Sequence, residues 1–238
     1  PMHNLYTALG KIRWLRWMYF QLRVWQQHNQ TQLSGTNNQL TFQLHHGLPQ
    51  LKSIQIKIEG DHNVVEIADR VHLRHTQILI TGSHNHIKIG ADCHITGGAI
   101  WINSNHCQLD IQPKTTIVEA QIGIAENHGR IAIGEDCMLS HGIDIRCGDS
   151  HAIIDLTTGQ RINQASYIQI EPHVWIGMHS RILKDVTIAA NSVIAAGSIV
   201  TKSIPCNSIA AGVPATVKRN NISWSREANV IDDATTTN

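Results

Sequence analysis

Sixteen histidines stand among 238 residues. Each can serve as a base, a metal ligand or a turn residue near neutral pH, so position has to decide between those roles. Four of them form a column, His62, His84, His106 and His128, at intervals of 22 (84−62, 106−84, 128−106). They sit in similar lines: EGDHNVVEI from Glu59, TGSHNHIKI from Thr81, NSNHCQLDI from Asn103 and AENHGRIAI from Ala125. A metal site needs ligands that converge on one ion, whereas a constant interval spreads them out. The column reads as a ladder of corner residues. His151 departs from it, because Ser150 takes the equivalent place (150−128 = 22) and His151 follows one position later. A neutral imidazole there has the chemistry of a general base that takes a proton from an attacking hydroxyl. Asp149 has two readings: it fixes the imidazole tautomer, or it caps a turn. Trp175 places a bulky, donor-only indole at a corner where the hexads prefer small or polar residues. It can bond a developing oxyanion, wall a pocket, or simply pack.

The elements that would position these residues are legible in the aliphatic pattern. Ile170, Ile176, Ile182, Ile188, Ile194 and Val200 are six apart, and Ile133, Leu139 and Ile145 keep the same beat, as do Ile89 and Ile95. A period of six fits neither the 3.6 residues of a helical turn nor a long two-residue alternation. It fits a chain that runs straight briefly, turns a corner and repeats, three sides closing a triangular coil. The 22-residue units are then three hexads with about four extra residues at one corner, where Gly, Asn and His gather. The beat fails between Ile145 and Ile170, so the stretch DSHAIIDLTTGQRINQAS from Asp149 forms a loop off the solenoid, opened by His151. Loops on rigid scaffolds often carry function.

Composition agrees. Hydrophobic residues make up 42% and aromatic residues 5%, so aliphatic side chains carry the core. The formal charge of +1 argues against a protein built to grip nucleic acid. No run approaches the roughly 20 apolar residues of a membrane span, and no signal peptide opens the chain. Five cysteines with no CxxC pair favour free thiols in a reducing cytoplasm over a disulfide frame or zinc site. Pro1 ahead of Met2 reads as a cloning remnant.

The segment from His173 to Arg219 resembles the hexapeptide-repeat, left-handed parallel β-helix acyltransferases. Its marks are Val174-Trp175-Ile176-Gly177, the run from Ile194 to Lys202, and Gly212-Val213-Pro214-Ala215. The repeats extend the resemblance over residues 54–220. The chain is most similar to bacterial capsule and polysialic acid O-acetyltransferases, through Asp136 to Ser140, Ile143 to Arg146, Asp149-Ser150-His151, and a Trp 24 residues after that His (175−151). Ala189 and Ala195 replace the usual Gly, and both are small enough for a corner. The resemblance implies an all-β left-handed β-helix, assembled as a homotrimer, that moves an acetyl group from acetyl-CoA to a sugar hydroxyl of a surface polysaccharide or its precursor. No metal is required. His151 is then the catalytic base, with Trp175 and Asp149 beside it. Cofactor binding falls to Ala196 and Gly197 for the pantetheine arm, and to Lys202, Lys218 and Arg219 clustered around the last coil. Alternatives on the same fold are an acetyltransferase for serine or a nucleotide-linked amino sugar, a γ-type carbonic anhydrase with three His on zinc, and a catalytically silent scaffold.

Residues 1–53 form a separate lead-in with a short N-terminal helix. The first acidic residue is Glu59, and Lys11, Arg13, Arg16 and Arg23 interleave with Trp14, Trp17, Tyr19, Phe20 and Trp25. One reading is a cap on the first coil; the other is a helix lying on anionic lipid at the inner membrane face of a cytoplasmic enzyme. Residues 221–238 read as a polar tail ending in a frayed IDDATTTN.

Overall fold

The computed structural model describes residues 13–228. Pro1, Met2, Lys11 and the terminal IDDATTTN lie outside the described residues. The chain is a left-handed parallel β-helix of about eight coils with one helix, α1 (Arg13–Gln26), ahead of it. The strands, β1 to β24, assemble into three ladders that form the faces of a triangular prism. The first coil contributes β1 (Gln30–Ser34) to the first face, β2 (Gln39–Phe42) to the second and β3 (Gln50–Lys52) to the third. Later coils repeat that order. Coiling therefore takes in residues 30–52, ahead of the boundary at 54 expected from the repeats. These strands are rich in Gln, and β1 is exposed along its whole length, so they lack the buried aliphatic beat.

The alternation inside each short strand explains the core. In the strands Gln55–Glu59 and Thr76–Thr81, every second residue is buried: Ile56 and Ile58 in the first, Thr76, Ile78 and Ile80 in the second. Ile56, Ile78, Ile100, Ile122, Ile145, Ile182 and Val200 stack one per coil. Each buried aliphatic contributes roughly 1.5–3 kcal/mol, and neighbouring coils supply the partner surface.

Pairing intervals record the coil length. Ile56 pairs with Ile78 and Leu109 with Ile131, both 22 apart (78−56, 131−109). After the interruption, Ile168 pairs with Val186 and Trp175 with Val193, both 18 apart (186−168, 193−175). The extra residues of the longer coils lie at the corner between the first and second faces. There His62, His84, His106 and His128 all take left-handed φ angles of 56–62°. Their rings stack at 4.8, 4.8 and 5.0 Å, within 10° of parallel. Inside the corner, Asn38, Asn63 and Asn85 each accept a hydrogen bond on Oδ1 from the backbone N–H one coil onward. Gly60 precedes His62, and a Cβ there would meet the Gly82 carbonyl oxygen at 2.1 Å. The column is structural, and no His/Cys/Asp/Glu group suited to a metal occurs among the described residues.

Cys93, Cys107, Cys137 and Cys147 are buried free thiols. Burial pushes the Cys93 thiol up to about 12 and the other three up to about 11, so they remain protonated packing groups. At the N-terminal end, Phe20 of α1 is buried and packs on Phe42 at 4.9 Å. The helix thereby covers the open end of the core. Trp17, Met18 and Leu22 remain exposed.

Candidate active site

His151 lies just past β16 (Ile143–Cys147), at the corner between the first and second faces, and β17 (Tyr167–Ile170) resumes the coil. Ser150 continues the histidine column with φ 61°. The solenoid's own corner geometry thus places His151 one residue beyond the ladder, exposed on its rim. The interruption is a small hairpin: Ile154 pairs with Arg161, and Ile162 N–H donates to the Ile153 carbonyl at 2.9 Å.

One buried side chain organises this hairpin. Asn163 Oδ1 accepts from Ile153 N–H at 2.8 Å and from Arg161 Nε at 3.0 Å. Its Nδ2 donates to Asp149 Oδ2 and to the His151 carbonyl, each at 2.8 Å. Arg161 also grips Glu126 in a bidentate pair at 3.0 and 2.5 Å. Lys184 Nζ donates to the Asp149 carboxylate and, at 2.9 Å, to the Asn163 carbonyl. The Lys184 hydrogen bond leads in holding Asp149 below its usual carboxylate value, with Asn163 adding to it against a smaller opposing effect of burial. These partners give Asp149 a different place from the tautomer-fixing contact considered above. Its carboxylate ties the root of the hairpin to Lys184, while Asn163 fixes the His151 backbone. Neither Asn163 nor Lys184 is legible as a site residue, because both act from outside the 22-residue beat.

The strand feeding His151 is braced from outside. The Arg146 guanidinium lies 4.9 Å from the centre of the Trp101 ring and pairs with Asp144. The Trp101 indole occupies the space beside Gly123, where a Cβ would stand 2.1 Å from a ring carbon.

Trp175 belongs to β18 (Trp175–Ile176), on the third face. It is 38% exposed. It sits in an outward row that runs Met138, Trp175, Val193, Ile209 and Arg219. Arg219 is three strands from Trp175, about 14 Å at the usual strand spacing. Ala196 and Gly197 occupy the next corner, one coil above Gly177, and both are exposed. A Cβ on Gly177 would come within 2.6 Å of the Ala196 nitrogen, so the two corners are in close contact. Gly197 has φ 71°, a conformation suited to glycine. Lys218 and Arg219 lie on β24 (Ala215–Asn220), which closes the third face as an antiparallel hairpin with β23 (Ser208–Gly212). The expected cluster of three cations divides. Lys202 follows the first-face strand Ile199–Val200 and stands at the first–second corner, while Lys218 and Arg219 share the face of Trp175. Proximity in sequence to the last coil did not distinguish its corners.

Within one chain, His151 is at the corner opposite the face that carries Trp175. The hairpin beside His151 exposes Ile153, Ile154, Leu156 and Ile162, with Leu156 98% accessible. Among the described residues these four aliphatics are left uncovered by the chain's own core.

Known proteins share this fold. The family described as Bacterial transferase hexapeptide (six repeats) matches residues 167–202. The structure of the polySia specific acetyltransferase NeuO superposes with a TM-score of 0.78 at 30% identity, covering 85% of this chain and 91% of that one. The polysialic acid O-acetyltransferase OatWY gives 0.78 at 33% identity, covering 87% and 94%. A polysialic acid O-acetyltransferase of Escherichia coli O1:K1 is 36% identical over 105 residues, 43% of this chain and 34% of the relative. That sequence match spans about a third of the relative's length. The chain belongs to the hexapeptide-repeat, left-handed β-helix acyltransferases, and among them it is similar to the polysialic acid O-acetyltransferases.

Proposed function

We propose that this protein is an acetyl-CoA-dependent O-acetyltransferase acting on a sugar hydroxyl of a bacterial surface polysaccharide or its precursor. The observation that carries the reading is likeness along nearly the whole chain to polysialic acid O-acetyltransferases, at 33% identity over 94% of one of them. The position of His151 supports the chemistry: an exposed imidazole, set off the ladder on an anchored hairpin.

In the reaction, His151 takes the proton of the sugar hydroxyl as its oxygen attacks the thioester carbonyl carbon. The tetrahedral intermediate collapses, the C–S bond breaks, and the imidazolium returns the proton to the departing thiolate. A donor-only indole suits stabilisation of the oxyanion, and this is the role assigned to Trp175. Asp149 acts by anchoring the root of the hairpin through Lys184 and Asn163. Ala196 and Gly197 line the pantetheine path, and Lys218 and Arg219 meet the phosphorylated adenosine end, while Lys202, at the corner opposite their face, lies away from that path within one chain.

A homotrimer completes the site, because His151 and Trp175 lie on opposite sides of one prism. The exposed aliphatics of the hairpin supply its contact, and His151 then faces Trp175 of the partner subunit. Acetyl-CoA turnover on a panel of capsule and lipopolysaccharide fragments, followed by free-thiol release, tests the reading. His151→Ala is expected to lose about 10²–10⁴-fold in turnover. Near-normal turnover in that variant removes His151 from the mechanism.

The enzyme works in the cytoplasm, with α1 contacting the inner membrane face through Trp17, Met18 and Leu22, which the core leaves exposed. No described helix is long and apolar enough to cross a membrane. Flotation with anionic liposomes is expected to fall when residues 1–26 are removed. Unchanged flotation ends the membrane reading.

A further inference from the structure

The segment that follows β24 does not leave the solenoid. It runs back along the corner between the second and third faces, pinned at successive coils. Ile222 N–H donates to the Asn207 carbonyl at 3.0 Å, and Asn207 Nδ2 returns a bond to the Ile222 carbonyl at 3.2 Å. Ser223 Oγ bonds Asn191 Oδ1 at 3.0 Å. Trp224 Nε1 donates to the His173 carbonyl at 2.7 Å, and its ring stacks on the His173 imidazole at 4.1 Å, 10° from parallel. His173 in turn reaches the Trp224 carbonyl through Nε2 at 3.0 Å and Asp136 Oδ2 through Nδ1 at 2.6 Å. Arg226 closes the latch, donating to Asp136 Oδ1 at 2.9 Å, Thr116 Oγ1 at 2.9 Å and the Cys137 carbonyl at 3.0 Å.

The consequence falls on Trp175. The half-buried Trp224 ring lies 6.1 Å from that of Trp175, tilted by 49°. In a single chain, the flanking strands offer the exposed indole only the Met138 and Val193 side chains on either side, and neither fixes the rotation of a ring. Trp224, itself immobilised by a hydrogen bond and a stacking partner, supplies a rigid wall. We infer that the strap Asn221–Arg226 buttresses the acetyl site, with Trp224 a positioning residue that sets the orientation of the Trp175 indole toward the thioester. The inference rests on the assignment of Trp175 to that site. The sense is specific: within one chain the strap lies against Trp175, while His151 is at the opposite corner.

A double-mutant cycle on the full-length chain tests this, with acetyl-CoA as donor, polysialic acid as acceptor, and thiol release as readout. Trp224→Ala is expected to lower kcat about tenfold to a hundredfold, the cost of a misplaced group, while the KM for acetyl-CoA changes by about threefold or less. Trp224→Phe keeps the stack on His173 and is expected to recover most of the loss. On a Trp175→Ala background, Trp224→Ala is expected to have no further effect. Additive losses, or a Trp224→Ala variant with wild-type kcat well below its melting temperature, overturn the inference. If Trp224→Ala does not fold, Trp224→Phe and Trp224→Leu in the same two backgrounds decide between coupling and additivity in its place. If instead Trp175→Ala retains full turnover, the assignment of Trp175 fails, a result distinguishable from failure of the strap alone. Should polysialic acid not be turned over, the slow hydrolysis of acetyl-CoA by the four proteins, read as thiol release, replaces the rate. The same non-additive pattern in hydrolysis supports the strap, and additivity overturns it.

Discussion

The coils before the hairpin and those after it are built from the same hexad but specialised in opposite directions. Before it, the interval is mostly 22, the first–second corner is long, and residues recur from coil to coil: His62, His84, His106 and His128 stack, and Asn38, Asn63 and Asn85 line up. After it, the interval shrinks to 18, the strands between Trp175 and Val200 are two or three residues long, and repetition gives way to single residues such as Trp175 and Gly197. Identical stacking suits a support, because every coil satisfies its neighbour's hydrogen bonds. A site needs a residue that departs from the column, and His151 is that departure.

The sharpest way to break this contrast is to compare two histidines of one corner. His151→Ala removes the proposed base, whereas His128→Ala, one coil away, removes only a stacked ring held at φ 62°. The latter is expected to keep turnover within about twofold, as other substitutions outside the site do. A large loss at His128 makes the column part of the chemistry and dissolves the distinction.

The next largest effect concerns stability. Ile122 is 2% exposed inside a regular coil, and Ile122→Ala is expected to cost about 2–5 kcal/mol by denaturant unfolding. Ile154 is 47% exposed on the hairpin, and Ile154→Ala is expected to shift monomer stability by less than about 0.5 kcal/mol. If Ile154 packs against a neighbouring subunit, the same change lowers the oligomer's dissociation midpoint in sedimentation, which joins the hairpin to assembly.

The smallest effect is one of pH. Asp149 is held below its ordinary value chiefly by Lys184. For Asp136, burial acts upward, but hydrogen bonds from His173 and Arg226 outweigh it and leave the carboxyl lowered. A folded value below the unfolded one means stability that is full above the ordinary carboxylate value of 3.8 and lost as pH falls through the lowered one. Thermal melts from pH 6 down to about pH 2 are expected to fall more gently in Asp149→Asn than in the wild type. An unchanged slope removes Asp149 from the acid response.

Much of this architecture is written in the chain. The six-residue beat from Ile170 to Val200 and the 22-residue histidine interval give the coil, its corners and the place of the hairpin. The first coil escaped the beat, because β1 to β3 are Gln-rich and its aliphatics are sparse. The partners of Asp149 escaped for a different reason. Lys184 lies 35 residues away and Asn163 lies 14 away, and nothing local says that a shortened coil brings them to one corner. Trp224 and Arg226 were invisible for the same cause, since a return along the outside of a solenoid leaves no period. The split of Lys202 from Lys218 and Arg219 shows that residues close in sequence part company whenever a corner lies between them.

The ladders connect coil to coil, so the number of coils is also a ruler. Five steps separate the coil beneath α1 from the coil that carries β16 to β18, about 24 Å at strand spacing. Inserting or deleting one whole 22-residue unit would move the reacting centre by one rung, about 4.8 Å, without altering its surroundings. The stand-off between whatever α1 touches and the proposed site is therefore counted out in whole rungs.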